Sequence, residues 1–316
     1  MSIIVTGSVA FDNIMDFPGH FHEHILADKI HMLNVSFLVD TLKKQRGGCA
    51  GNMAYSLALL GSHPKIYSSV GPDFTEYASQ LESVGVDTGI INAIPDQFTA
   101  TCFITTDRDN NQITGFYPGA MACDAQLSLA PLGLGSADLV VISPTAPVAM
   151  TRFARECRAG EVPYVYVPAQ QIISLSREDL LAGIEGARVI IANDYEYEMM
   201  QNKTGLTAAD MLRHAEIVVT TRGEAGSVVR TRDAQYAIPI AQPREVVDPT
   251  GAGDAYAAGF VHGLTQGFDL EVTGRIAALA AVYVIEYYGT QAHSYSRADF
   301  AARYAENFGA PIHLSP

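Results

Sequence analysis

Positive charge is scarce in this sequence. Lys and Arg total 20 against 34 Asp and Glu, leaving a net charge of −14 over 316 residues. Non-specific binding to nucleic acid needs clustered Lys and Arg to neutralise phosphates, so it is disfavoured, as is docking on an anionic membrane surface. A phosphorylated ligand is not excluded, because backbone N–H groups at helix N-termini take phosphate without side-chain charge. Cysteine is sparse as well. Cys49, Cys102, Cys123 and Cys157 contain no C-x-x-C pair and form no Cys/His pattern with zinc-ligand spacing, so they read as reduced, mostly buried thiols in a cytoplasmic protein. No apolar run reaches the ~18 residues of a membrane span. The opening Met1–Gly7 lacks the basic and long apolar regions of a signal peptide and reads as a short strand. Internal repeats, low-complexity tracts and an obvious interdomain linker are also missing.

What is present is the composition of a globular enzyme, 48% hydrophobic and 17% charged, with 27 glycines for tight turns and close backbone approaches. Short apolar runs at Ile3–Thr6, Ile66–Val70, Leu139–Ile142, Tyr164–Val167, Val189–Ile191 and Ile217–Thr220 alternate with helical patterns. The helix over 49–61 has a broad apolar face and stops at Gly61; another over 76–84 ends at Gly85. Two late helices are expected over 251–266 and 270–288. Alternating βα units predict an α/β fold, a mostly parallel sheet with helices on both faces, whose ligands bind at the carboxyl ends of the strands. Two segments depart from this rhythm. Thr99–Thr106 and Gln112–Tyr117 flank a polar turn and read as a hairpin outside the main sheet, and Ser227–Arg230 with Gln235–Ile238 reads as a second hairpin. Residues 307–316 read as a loosely held tail.

The chemistry concentrates in Val246-Val-Asp-Pro-Thr-Gly-Ala-Gly-Asp-Ala-Tyr-Ala-Ala-Gly-Phe260. A Gly-Ala-Gly turn opening a helix presents unpaired N–H groups in one direction, and the helix dipole adds partial positive charge there. Such a site suits an anion, above all one whose charge grows during reaction. Asp254 lies inside it. A carboxylate beside an anion hole is repulsive unless it does something, and removing a proton from an attacking hydroxyl is such a task. Phosphoryl transfer needs this combination of donors and base. The competing local reading is that Asp254 simply caps the helix. The segment is neither a Walker A loop nor G-x-G-x-x-G.

Asp248-Pro-Thr-Gly-Ala-Gly-Asp254 resembles the D-T-x-G-A-G-D signature of the ribokinase-like (PfkB) carbohydrate kinases. Three further segments fit the same family in its order: Gly47-Gly-Cys-Ala-Gly-Asn52 is similar to G-G-x-x-x-N, Asn193-Asp-Tyr-Glu196 to N-x-x-E, and Thr220-Thr-Arg-Gly-Glu-Ala-Gly226 to T-x-G-x-x-G. The resemblance runs from about Ile3 to about Ser294. It implies a ribokinase-like domain over 1–306, with a small β lid from about 12–46 and 97–118. It implies ATP as phosphate donor, Asp254 as general base, and Gly251, Ala252 and Gly253 as the anion hole. Asn193 and Glu196 would organise Mg²⁺ through water, although helix capping explains the same pair locally. Asn193, Thr221, Gly223 and Gly226 would lie against the nucleotide. Asp12 and Asn13, in the loop after the first strand, would bind the acceptor with Gly47, Gly48 and Asn52. Asp248 and Thr250, with carbonyls of 288–294, match part of a K⁺ site. At Val167 relatives often carry an acid, which bears on how metal and phosphates are held.

The stretches 106–121 and 7–15 resemble prokaryotic nucleoside kinases within the family. They imply transfer to a nucleoside 5′-hydroxyl, with adenosine first, a water-excluding lid, Gln112 facing the site and Phe116 against the base. A sugar kinase of the same family is the rival reading; a non-catalytic nucleotide sensor fits less well, because a sensor needs no base. Partners are small molecules, and the chain is expected as a monomer or a homodimer joined through lid-strand edges. His20, His22, His24 and His31 stand at i, i+2 spacings that match no metal motif and read as a solvated loop.

Overall fold

In the computed structural model residues 1–25, 34–109 and 111–314 are described. The main sheet has eight strands: β1 (Ile3–Thr6), β4 (Pro64–Tyr67), β9 (Leu139–Ile142), β10 (Tyr164–Tyr166), β11 (Val189–Asn193), β12 (Ile217–Thr221), β13 (Ser227–Arg230) and β14 (Gln235–Ile238). Their order is β14-β13-β12-β11-β10-β9-β1-β4. The six strands from β4 to β12 are parallel, and the hairpin β13–β14 adds an antiparallel edge.

The inner strands β1, β9, β10, β11 and β12 read as nearly unbroken apolar runs because both their faces are covered. The period of two sorts their side chains between two cores. Ile3 and Val5, Leu139 and Val141, Val165, Val189 and Ile191, and Ile217 and Val219 pack on one side with helices α2 (Cys49–Leu59) and α8 (Ala252–Thr265). Ile4, Val140 and Ile142, Tyr164 and Tyr166, Ile190 and Val218 pack on the other. That second side is covered by α4 (Pro147–Ala159), α5 (Arg177–Ile184), α6 (Asp194–Thr204) and α7 (Ala208–His214). A third cluster joins α9 (Leu270–Ile285) to α10 (Arg297–Phe308). Gly259 and Gly263 let α8 approach α9 closely: a Cβ on Gly259 would stand 2.7 Å from the Ala277 Cα. Among the described residues no helix is long and apolar enough to cross a membrane. The four cysteines are unpaired; Cys49 and Cys157 are buried, Cys102 and Cys123 half-buried.

A second sheet stands apart, in the order β3-β2-β7-β8, from β2 (Ala10–Asp16), β3 (Thr41–Gly47), β7 (Ala100–Thr106) and β8 (Gln112–Tyr117). The hairpin expected at 99–117 is its outer half. Its inner half corrects the sequence reading: Asp12 and Asn13 lie in a strand, not in a loop. Asp12 pairs with Gln45 on one side and Cys102 on the other. The alternation in Ala10–Asp16 is blurred because neither face of this small sheet is wholly buried.

Three other boundaries move. The run expected at Ile66–Val70 is split into β4 and β5 (Ser69–Val70), the latter paired with β6 (Asn92–Ala93). The last helices are three, since α10 follows α9, capped at Ser296 by a reciprocal box with Asp299 and closed by Gly309 at φ 71°. The tail expected from residue 307 therefore begins later. Asn307 and Phe308 belong to α10, Asn307 Oδ1 accepts the Gln242 N–H at 2.6 Å, and Ile312 is buried.

Candidate active site

A cleft of about 890 Å³ opens between the carboxyl edge of the main sheet and the small sheet. The segments following β1, β9, β10, β11 and β12 supply Ser8, Thr145, Gln170, Asp194 and Gly223 to its wall. Strand direction decides this placement, since every parallel strand delivers its outgoing loop to the same edge.

At its floor α8 begins. Gly251 is the N-cap at φ 85°, and no side chain caps the helix. Ala252 N–H donates to the Pro249 carbonyl at 3.3 Å and Ala255 N–H to the Gly251 carbonyl at 3.0 Å. The intervening amides of Gly253 and Asp254 belong to the first turn, where no intrahelical acceptor exists. A Cβ on Gly253 would meet nothing within 4 Å, and Gly253 lines the cleft.

Asp254 lines the cleft in that first turn. Burial pushes its carboxyl up to about 6, against the lowering effect of hydrogen bonds from Asn52 and Cys49; the charge of Glu196 adds to the rise. Asn52 Nδ2 donates to Asp254 Oδ2 at 2.8 Å. The amide cannot turn over, because Asn52 Oδ1 accepts from Thr290 Oγ1 at 2.8 Å and from Gln291 Nε2 at 2.9 Å. Thr290 and Gln291 thus hold Asn52, and Asn52 holds one oxygen of Asp254.

Asp12 lines the cleft from the small sheet, its carboxyl also raised by burial. Asp12, Cys102 and Phe116 stand side by side across β2, β7 and β8, and all three face the cleft. Gly47 makes room for this: a Cβ there would lie 2.6 Å from Asp12 Oδ2. Gly48 and Asn52 line the cleft, whereas Gly47 stays behind Asp12.

Two expected contacts are not brought to the cleft. Asn13 follows Asp12 on a strand whose alternate residues Ala10 and Asp12 line it, and so falls on the opposite face. Gln112 shares the face of Phe116 but sits four residues away, about 13 Å along the strand. It is exposed beside Thr106.

On the other side Asn193, Glu196, Thr221 and Gly223 line the cleft. Asn193 and Glu196 form a reciprocal capping box: Asn193 N–H donates to Glu196 Oε2 at 2.9 Å, and Glu196 N–H to Asn193 Oδ1 at 2.8 Å. Glu196 Oε1 makes no hydrogen bond among the described residues. Burial, with a smaller push from Asp194, raises the Glu196 carboxyl. Gly226 shapes the turn from behind, since a Cβ there would stand 2.2 Å from the Ile238 carbonyl oxygen. Thr250 and Gly251 line the cleft, with Ala252 and Asp248 outside it. Asp248 accepts the Thr250 N–H at 2.9 Å and the Gly289 N–H at 3.2 Å, tying the turn before α8 to the segment after α9. Val167 is a cleft residue, apolar and buried.

Sequence reasoning passed over Cys49, Met121, Gln170, Tyr195 and Thr290, all of which line the cleft. Thr290 and Gln291 were legible only as backbone carbonyls. Nothing in their neighbourhood in the chain links them to Asn52, more than two hundred residues earlier.

An α/β sheet with a glycine-opened helix at its carboxyl edge, a half-buried carboxylate in that helix's first turn, and a second sheet across the opening is the layout of a small-molecule phosphotransferase. The comparisons with known proteins agree. Residues 9–297 match the model of the pfkB family of carbohydrate kinases. A nucleoside kinase of Methanocaldococcus jannaschii is 32% identical, over 82% of this chain and 85% of its own. One from Methanothermobacter thermautotrophicus is 30% identical, over 97% and 96%. Among solved structures, the nucleoside kinase of Burkholderia thailandensis in complex with inosine superposes with a TM-score of 0.86 at 35% identity, over 98% of this chain and 99% of that one. The chain belongs to the pfkB family of carbohydrate kinases and has its ribokinase-like fold. It is a phosphotransferase with an alcohol group as acceptor.

Proposed function

We propose that this enzyme phosphorylates the 5′-hydroxyl of a nucleoside with ATP in the cytoplasm, adenosine being the first substrate to try. The observation that carries the chemistry is Asp254: a half-buried carboxylate, one oxygen fixed by Asn52, in the first turn of a helix whose opening amides have no acceptor within the helix. In this reading Asp254 takes the proton from the acceptor hydroxyl, whose oxygen attacks the γ-phosphorus. The bond to the ADP oxygen breaks, and Gly251, Ala252 and Gly253 stabilise the charge on the transferring group. Thr221 and Gly223 flank the nucleotide, and Gly226 keeps their turn in shape.

Several features favour a nucleoside over a free sugar. Asp12 offers acceptor oxygens to a ribose diol, while Phe116 and Met121 extend the same wall with apolar surface that a bare sugar would not cover. Relatives named nucleoside kinases, and a neighbour that binds inosine, support the same choice. The small sheet would act as a lid that keeps water from the γ-phosphate.

Mg²⁺ fits the hard oxygen donors here. Glu196, with Oε1 unbonded, and Asn193 would hold it through water, since their remaining oxygens are engaged in the capping box. When bound it would neutralise phosphate charge. K⁺ fits Asp248 and Thr250 together with backbone carbonyls of 288–294, because each Asp248 oxygen keeps a second lone pair.

The test is ATP consumption with a panel of nucleosides and sugars. Turnover with adenosine or another nucleoside, exceeding that with ribose or fructose, is expected. Turnover with sugars alone would transfer the same chemistry to a sugar kinase and refute the nucleoside reading. The pH dependence is a second check. A base with its pKa near 6 must be ionised, so kcat should fall roughly tenfold per pH unit well below pH 6 and level off above it. A profile flat down to pH 5 would remove Asp254 from the role.

A further inference from the structure

At the end of the small sheet opposite to Ala10, Asp12 and Cys102, two segments meet. One is the short helix α1 (Phe21–His24), in the connection after β2. The other is the turn between β7 and β8. We propose that His20, His22 and Asp109 at this junction form a binding site for a divalent transition-metal ion of the zinc class.

One ligand atom from each of the three lies within 4.8 Å of the other two. The His20 and His22 rings are 5.3 Å apart, and His20 Nδ1 donates to Asp109 Oδ2 at 2.8 Å. Ligand atoms around a single tetrahedral zinc stand about 3.3 Å apart, so the His20–Asp109 pair is already within that spacing and the set as a whole needs to contract by about 1.5 Å at most. The set comprises two imidazole nitrogens and one carboxylate oxygen. That suits zinc and its neighbours in the first transition row; Mg²⁺ and Ca²⁺ require oxygen ligands. Three protein ligands leave room for water.

A pair of surface histidines beside an aspartate is ordinary, but here the backbone beneath them is built. Asp107, only 5% exposed, is the hub. It accepts N–H bonds from Phe21 at 3.0 Å and from Asp109 and Asn111 at 2.9 Å each, and one from Asn111 Nδ2 at 3.2 Å. Arg108 N–H donates to the Gly19 carbonyl at 3.1 Å, and Phe17 N–H to the Thr106 carbonyl at 2.8 Å. Phe17 and Phe21 stack at 5.8 Å, with Phe37 packed against both. The ligands therefore come from chain segments 89 residues apart, held together by contacts that owe nothing to a metal. Preorganisation of this kind lowers the entropic cost of binding an ion. His24 is occupied in an edge contact with Phe17, and His31 lies outside the described residues. An ion at this position would tie the β2–β3 connection to the β7–β8 turn and stiffen the small sheet without touching the cleft.

Calorimetric titration of the tag-free protein with Zn²⁺ at neutral pH tests this, with Mg²⁺ as the control. One Zn²⁺ per chain is expected, with a rise in melting temperature and, for Co²⁺, a visible absorption band. The double substitution His20→Ala with His22→Ala should weaken Zn²⁺ binding by about a hundredfold or more and abolish the melting shift. Its metal-free melting curve should be unchanged, because neither ring supports the Asp107 hub. Absence of Zn²⁺ binding by the unaltered chain, or equal one-to-one binding by the double variant, would overturn the proposal.

Discussion

Asp254→Asn should lower kcat by about a hundred- to ten-thousandfold, the range that a positioned base contributes. The substitution is close to isosteric, and the new side chain keeps an oxygen to accept from Asn52 Nδ2, so the cleft should retain its shape. Substrate binding, followed by calorimetry with nucleoside and a non-hydrolysable ATP analogue, should change little. The variant should also be no less stable than the parent at neutral pH, a result that separates lost chemistry from lost folding. The carboxyl is raised from 3.8 to about 6 in the folded chain. Its favourable contribution is complete below pH 3.8, where both states are protonated, and is lost as pH rises through 6. At pH 7 the parent therefore holds a desolvated charge that the amide does not. Parental activity in Asp254→Asn, or an equal loss of folding and turnover, would overturn the role.

Gly48→Ala should be strongly damaging to both stability and turnover. Gly48 has φ 87° and ψ 137°, a region that essentially only glycine occupies, at a cost of about 1–3 kcal/mol for other residues. A Cβ would also stand 2.5 Å from the Ser8 carbonyl oxygen, 2.7 Å from the Ala10 amide nitrogen and 2.8 Å from the Ser8 carbonyl carbon. All three are backbone atoms, so no side chain can swing aside, and overpacking adds about 1–3 kcal/mol. The position joins β3 to α2, where the Ala50 N–H donates to the Ser8 carbonyl at 2.9 Å and the Cys49 N–H to Ser8 Oγ at 3.0 Å. Separating the two strands of backbone there displaces Asp12 from one side and Asn52 from the other. Chemical denaturation should show a loss of several kcal/mol, and turnover should fall even where the variant folds. Gly253→Ala serves as the contrast: its Cβ meets nothing, so stability should hold while any penalty appears in turnover. A Gly48→Ala protein with unchanged stability and kcat would mean that this junction yields more easily than its contacts imply.

Local pattern accounts for much of what was legible. The main-sheet strands are short runs of Val, Ile and Leu because both faces are buried, and such runs stand out against polar helix surfaces. The small sheet has no such signal. Ala10–Asp16 mixes Asp, Asn and Met with Phe and Ile, and its pairing is set by partners at 41–47 and 100–106. Helix α10 did leave a mark: Ser296 with Asp299 three residues on, and Gly309 at its end, are capping signals that a reading focused on the glycine-rich motifs passed over.

The site divides the same way. The candidate reactive groups could be singled out from the chain, because Asp254 and its glycines are adjacent and a helix N-terminus is a local object. The orientation of Asp254 was not readable. It depends on Asn52, 202 residues earlier in the chain, which Thr290 and Gln291 hold in turn. The same holds for Asn13 and Gln112, which sequence order placed near the acceptor and strand geometry sends elsewhere. The sequence by itself determined the family and the parallel sheet, and singled out Asp254 with its glycines as candidates for the proposed chemistry, since these follow from periodicity and contiguous motifs. Only the tertiary structure decided which face of each lid strand meets the cleft and how far burial raises Asp254, because both depend on contacts between segments distant in the chain.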